Sequence, residues 1–80
     1  MFKTAVLIYD GFCLFEIASA LEMLALNNRK IDVFATCRSA YRTEEGITVV
    51  PDKTIHEFNE DEYDSLIIPG GKNIGEVVAN

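Results

Sequence analysis

Ser65-Leu66-Ile67-Ile68-Pro69-Gly70-Gly71 is the stretch from which the fold can be read. Leu66, Ile67 and Ile68 form a branched apolar run between an acidic cluster and a turn, the pattern of a buried strand in a parallel sheet. Pro69 has no amide hydrogen for a ladder, so pairing must stop there. Gly70 and Gly71 let the backbone turn sharply and leave their N–H groups open to a ligand. In open α/β sheets ligands bind beyond the carboxyl ends of strands, and this is such an end.

Working back from that strand, Lys3 to Tyr9 reads as a first strand, continuously apolar from Ala5 and closed by the turn Asp10-Gly11. A helix follows from about Leu14 to Asn27, where Asn27-Asn28 suits a left-handed stop. Lys30 to Thr36 alternates as a second strand, with Ile31, Val33 and Ala35 on one side and Asp32 and Phe34 on the other. Strand, helix and strand joined by such short loops imply a right-handed crossover. Ala40 to Arg42 and Ile47 to Val50 flank Glu44-Glu45-Gly46, a hairpin-like excursion that Pro51 ends. Thr54 to Phe58 reads as one helical turn, with Thr54 and Glu57 spaced as a capping box. Asn59 to Asp64 is an acidic loop feeding the Ser65 strand. After Gly71, Ile74, Val77 and Val78 hint at the start of another helix.

Composition narrows the function. Eighty residues allow at most one small domain with a thin core. Seven Lys and Arg against 13 Asp and Glu give a net charge of −6, which lacks the basic footprint of a nucleic-acid binder or of a protein seated on anionic lipid. No apolar run reaches the roughly 18–20 residues that span a bilayer, and no signal-peptide pattern opens the chain, so the expectation is cytoplasmic, with no membrane and no nucleic-acid partner. Cys13 and Cys37 have no CxxC spacing and read as reduced packing residues. One complete helix cannot cover both faces of a parallel sheet, so residues 1–80 read as the front portion of a larger α/β domain. A minimal protein that completes itself by dimerising is the other reading.

The helix is apolar on two sides. At about 100° per residue, Leu14, Ile17, Ala18, Leu21, Leu24 and Ala25 share one arc. Phe15, Ala20, Met23 and Leu26 lie largely outside it, and only Glu16, Ser19 and Glu22 interrupt the second side. That outer side should meet another part of the domain or a second subunit. Glu16 points away from the middle of the apolar arc. It is either a solvated first-turn carboxylate favoured by the helix N-terminus, or a carboxyl in an apolar rim whose neutral form can donate a hydrogen bond.

These features together resemble the ThiJ/PfpI family of glutamine-amidotransferase-like α/β proteins. The likeness is carried by KTAVLIY, DGF and Glu16 in FCLFEIASALEML, by EEGITVVPDKTI, and by EYDSLIIPGG. It implies a flavodoxin-like three-layer sandwich with a parallel sheet, of which residues 1–80 are the N-terminal portion and less than half. It also implies a nucleophilic cysteine on a strand-to-helix turn, followed by a histidine, both lying downstream of Pro-Gly-Gly and beyond this sequence. Glu16 then corresponds to the glutamate that hydrogen-bonds the nucleophile's sulfur, and Gly70 and Gly71 to the oxyanion-side glycines. The resemblance implies hydrolase, hydratase, glyoxalase or deglycase chemistry on a small electrophile, or a non-catalytic stress-response or ligand-sensing role in the same pocket. It implies no cofactor, and a homodimer through the outer face of the first helix.

Other sites are poorly supported by spacing. Cys13 as a nucleophile lacks a nearby base, since the lone histidine, His56, is distant and sits in a polar turn. His56 has no HxxxH or CxxH partner, so no metal site is expected. Gly70-Gly71-Lys72-Asn73-Ile74-Gly75 matches neither phosphate-loop spacing, which argues against a nucleotide site. Glu57, Glu60, Asp61, Glu62 and Asp64 read as a solvated acidic loop without EF-hand spacing.

Overall fold

The structure is a computed structural model and describes residues 3–71. The helix expected after Gly71 lies outside the described residues. Strands β1 (Lys3–Leu7), β2 (Lys30–Ala35), β5 (Lys53–Thr54) and β6 (Tyr63–Ile67) form one parallel sheet in the order β5-β2-β1-β6. Helix α1 (Leu14–Leu26) connects β1 to β2. Strands β3 (Tyr41–Arg42) and β4 (Thr48–Val49) pair with each other as an antiparallel hairpin outside the sheet. Single 3-10 turns span Ile55–Glu57 and Glu60–Glu62. The class is therefore α/β, as the sequence pattern indicates.

The core forms where strand alternation meets the inner arc of α1. Val6 stands in register between Val33 of β2 and Ile67 of β6, so one sheet face presents a row of branched side chains. Val6, Ile8, Phe12, Ile17, Ala35 and Tyr41 are buried together, with Leu14, Leu21, Ile31 and Val33 packed around them. Ile17 is the buried residue of the helix, while Phe15, Met23 and Leu26 are 82%, 65% and 76% exposed, so both apolar sides of the helix exist and only one is covered. The helix stops as its two asparagines suggest: Asn28 adopts φ 60° and Arg29 N donates to Leu24 O at 3.0 Å.

The opposite sheet face is built differently. Phe34 is buried against the rings of Phe58 and Tyr63, each with its centroid 5.4 Å away. Asp32 is also buried, and its carboxylate accepts from the Tyr63 hydroxyl at 2.6 Å and lies 3.7 Å from the ammonium groups of Lys3 and Lys53. Burial pushes the Asp32 carboxyl up, but the Tyr63 hydroxyl and the two lysines outweigh it and leave its pKa below the usual range. A cavity of about 170 Å³ opens on this side, lined by Ala5, Leu7, Phe34, Ile55, Phe58 and Leu66.

Several expectations change. The Leu66–Ile68 run is not a buried strand: β6 begins at Tyr63, ends at Ile67, and has Leu66 56% exposed, with Ile68 beyond it 48% exposed. The reason is position, since among the described residues β6 pairs with β1 alone and α1 covers only one face. Tyr63 is drawn into the strand by its bond to Asp32 and its pairing with Lys3. The first strand stops at Leu7, although Ile8 N still donates to Phe34 O at 2.8 Å. The acidic stretch is not simply solvated: Glu57 pairs with Arg38, Glu62 with Lys3 and Asp64 with Arg29. Glu57 does reach back to the Thr54 amide as the capping spacing indicates. Two-residue β5 carries no periodicity and was not legible. Cys37 is exposed rather than packed, whereas Cys13 is buried.

Because Phe34 holds the far face together, Phe34→Ala should cost about 3–5 kcal/mol in urea unfolding. Val50→Ala, at a side chain 67% exposed, should stay within about 0.5 kcal/mol.

Candidate functional site

Strand β1 lies between β2 and β6 in the sheet. β1 connects through α1 to β2 on one side, and β6 lies on the other side of β1. Doubly wound sheets open a crevice at such a switch point, above the carboxyl ends of the diverging strands. Here the crevice is bounded by the loop 8–13 after β1 and by residues 68–71 after β6.

The two loops are in direct contact. Cys13 N donates to Gly70 O at 2.7 Å, and Phe12 and Gly71 form an isolated antiparallel bridge. The Tyr9 hydroxyl donates to Pro69 O at 2.6 Å. Burial, with the Glu16 and Glu44 carboxylates nearby, pushes the Tyr9 hydroxyl's pKa up and keeps it a donor. Glu16, in the first turn of α1, is exposed, and its side chain reaches over Gly70: a Cβ added at Gly70 would lie 3.0 Å from its Oε1 and 3.2 Å from its Oε2. The structure thus brings Glu16, Gly70 and Gly71 to one place.

The glycines are needed for a reason other than the expected sharp turn. Neither takes a positive φ, which Gly11 and Gly46 do at 86° and 89°. A Cβ at Gly71 would instead collide with the Gly11 carbonyl and come within 2.7 Å of Phe12 Cα. The requirement at Gly71 is close backbone approach, and at Gly70 it is room for the Glu16 carboxylate.

Cys13 occupies the N-cap of α1 but makes no side-chain cap bond. The Glu16 amide facing its sulfur lowers the thiol's pKa, but burial and the Glu45 and Glu44 carboxylates outweigh it and leave that pKa raised. A thiol in that setting stays protonated and is a poor nucleophile. Cys37, on a loop, and His56, in the 3-10 turn Ile55–Glu57, are exposed and take no part here.

The cap is supplied from 30 residues away. Glu45, at the tip of the β3–β4 hairpin, accepts from Leu14 N at 3.1 Å and from Phe15 N at 3.0 Å, and the Cys13 thiol lies 3.4 Å from its Oε2. The Phe15 amide first, and then the Leu14 amide, hold the Glu45 carboxyl at about 2. Ligand atoms of Cys13, Glu44 and Glu45 lie within 4.8 Å of one another. Sequence reasoning did not find Glu45 or Tyr9, because both act through tertiary contacts that no spacing records.

A family model described as the DJ-1/PfpI family matches residues 2–80. The chain belongs to the DJ-1/PfpI family. Solved structures carry the same fold. A DJ-1 superfamily protein of Agrobacterium tumefaciens superposes with a TM-score of 0.87 at 21% identity, covering 95% of this chain and 41% of its own. A cysteine-to-alanine variant of a DJ-1 superfamily protein from Salmonella typhimurium gives 0.80 at 30% identity, covering 91% of this chain and 40% of its own. DJ-1 of Schizosaccharomyces pombe gives 0.76 at 18% identity, over 86% and 40%. This DJ-1/PfpI chain thus spans about two fifths of the length of these structures and has their flavodoxin-like architecture. No curated protein matches it significantly. No helix among its described residues is long and apolar enough to cross a membrane.

The packing distinguishes the two glycines. Gly71→Ala must push backbone aside and should destabilise the protein by about 1–3 kcal/mol in thermal or urea unfolding. Gly70→Ala meets only the flexible end of Glu16, so it should cost less than about 1 kcal/mol, and Glu16→Ala in the same chain should remove that cost.

Proposed function

We propose that this protein acts on a small carbonyl, amide or related electrophile through cysteine chemistry, with Glu16, Gly70 and Gly71 forming one wall of the site. The observation that carries this reading is the Glu16 carboxylate standing beside Gly70 at the switch point. The nucleophile would come from a strand-to-helix turn downstream of these 80 residues. In this reading Glu16 hydrogen-bonds the attacking sulfur and fixes its direction. With the thiol proton taken by the downstream histidine, sulfur adds to the electrophilic carbon, the carbonyl π pair moves onto the substrate oxygen, and the Gly70 and Gly71 amides stabilise that charge. Cys13 does not compete for the role, because its thiol is held protonated.

Residues 1–80 serve in this proposal as the front part of one α/β domain in the cytoplasm. The exposed Leu66 and Ile68 support it, since a second helical layer would cover them. The outer side of α1, with Phe15, Met23 and Leu26 largely exposed, is proposed as a homodimer face.

Two measurements test these assignments. In the protein carrying its elbow cysteine, Glu16→Gln should slow turnover or cysteine oxidation by about tenfold or more, the loss of one directed hydrogen bond to a charged group. Unchanged rates of both would leave a ligand-binding role as the surviving reading. In sedimentation velocity, Met23→Lys together with Leu26→Lys should convert a dimer to a monomer, and a wild-type protein that is monomeric at high concentration would remove the dimer face.

A further inference from the structure

The hairpin β3–β4 stands apart from the sheet, and nothing in the proposed chemistry uses it. Its tip is nevertheless hydrogen-bonded to the start of α1 and to the loop before it. We propose that Glu45 is a positioning residue for the Glu16–Gly70 hollow: by capping the first turn of α1 from the hairpin, it sets where Glu16 stands over Gly70.

The argument begins with an unmet need. Helices expose orphan amides at their start, and a Ser, Thr, Asp or Asn at the N-cap normally satisfies one of them. α1 has Cys13 there, in extended conformation and without a cap bond. Glu45 supplies acceptors for the first two of these amides, one oxygen to Leu14 N at 3.1 Å and the other to Phe15 N at 3.0 Å. Those are the two residues immediately before Glu16, so the carboxylate fixes the turn from which the Glu16 side chain leaves. The opposite side of the same turn is fixed by Cys13 N on Gly70 O at 2.7 Å. Glu16 is thus aimed by two clamps, one from the hairpin and one from the glycine it faces.

A clamp positions only if its own base is rigid. Glu44 N donates to Phe12 O at 2.7 Å, Gly11 N to Arg42 O at 2.7 Å, and Arg42 N to Asp10 Oδ1 at 3.2 Å, so the β3 arm and the tip of the hairpin are bonded to the loop that ends at Cys13. Within the tip, Gly46 N closes on Thr43 O at 3.0 Å, and the buried Thr43 hydroxyl accepts from Ile47 N at 3.0 Å. Glu44 also lies beside Cys13, yet the two helix amides are taken by Glu45.

The significance of this position rests on the reading of Glu16 and Gly70 as a site, but the test reads geometry and needs no turnover. Two-dimensional NMR of the protein gives the Glu16 side chain to Gly70 Hα Overhauser contact, the Gly70 amide shift, and the hydrogen-exchange rates of Leu14 and Phe15. Glu45→Ala should accelerate exchange of both amides by about fivefold or more, remove the contact and move the Gly70 shift. Glu45→Gln keeps a single acceptor oxygen, so it should restore protection at one amide and part of the contact. Glu57→Ala, which breaks an exposed pair with Arg38, should change none of the three. If Glu45→Ala does not fold, the partial effects of Glu45→Gln carry the test. A wild-type Overhauser contact and Gly70 shift in the Glu45 variants, with or without faster exchange, overturns the proposal. An unmoved contact together with slowed thiol chemistry in Glu16→Gln would refute positioning and keep the site. A lost contact with no effect of Glu16→Gln would keep positioning and remove the chemistry.

Discussion

The amide of Cys13 reaches the carbonyl of Gly70 at 2.7 Å, and Gly71 packs on the backbone of Gly11 and Phe12 with no space for a side chain. Through this contact the loops leaving β1 and β6 are joined main chain to main chain. Parallel strands normally deliver their loops independently, and at a switch point those loops diverge. Here the divergence is closed by main-chain contact, which tolerates no side chain at Gly71. Everything proposed for the site depends on it, because Glu16 follows one loop by three residues and the glycine pair ends the other.

The same economy explains how a poorly started helix is made secure. A cysteine at the N-cap makes no side-chain cap bond and leaves the Leu14 and Phe15 amides to another acceptor. The acceptor comes from a hairpin more than two dozen residues later, as a carboxylate bonded to two amides at once. A charged acceptor at a helix start gains both from the hydrogen bonds and from the helix dipole. The depressed pKa of Glu45, about 2, is the electrostatic signature of that arrangement. Against the Glu16 amide, burial and the Glu45 and Glu44 carboxylates beside Cys13 push its thiol pKa up.

The apolar surfaces divide unequally. α1 covers one face of the sheet, where Val6, Ile8 and Ala35 are buried with Ile17. The other face is closed near its centre by Phe34, Phe58 and Tyr63 around the paired Asp32, and is open toward Leu66 and Ile68. This chain covers 41% and 40% of the lengths of the Agrobacterium and Salmonella structures.

Much of this was legible in the residues alone. The alternation of Ile31, Val33 and Ala35, the spacing of Leu14, Ile17 and Leu21, the asparagines closing the helix and the Thr54–Glu57 box are local patterns, and local geometry obeys them. The family motifs placed Glu16 and the Gly70-Gly71 pair as companions, and the structure sets them side by side. What the residues could not say is which strand has a neighbour on one side only among the described residues, so Leu66 and Ile68 read as buried when half their surface is open. They could not say that Gly71 is required by the backbone of Gly11 and Phe12, or that Glu45 caps a helix it does not adjoin. Periodicity reports a residue's neighbours along the chain, whereas edges, close approaches and borrowed caps are set by segments that meet only after folding.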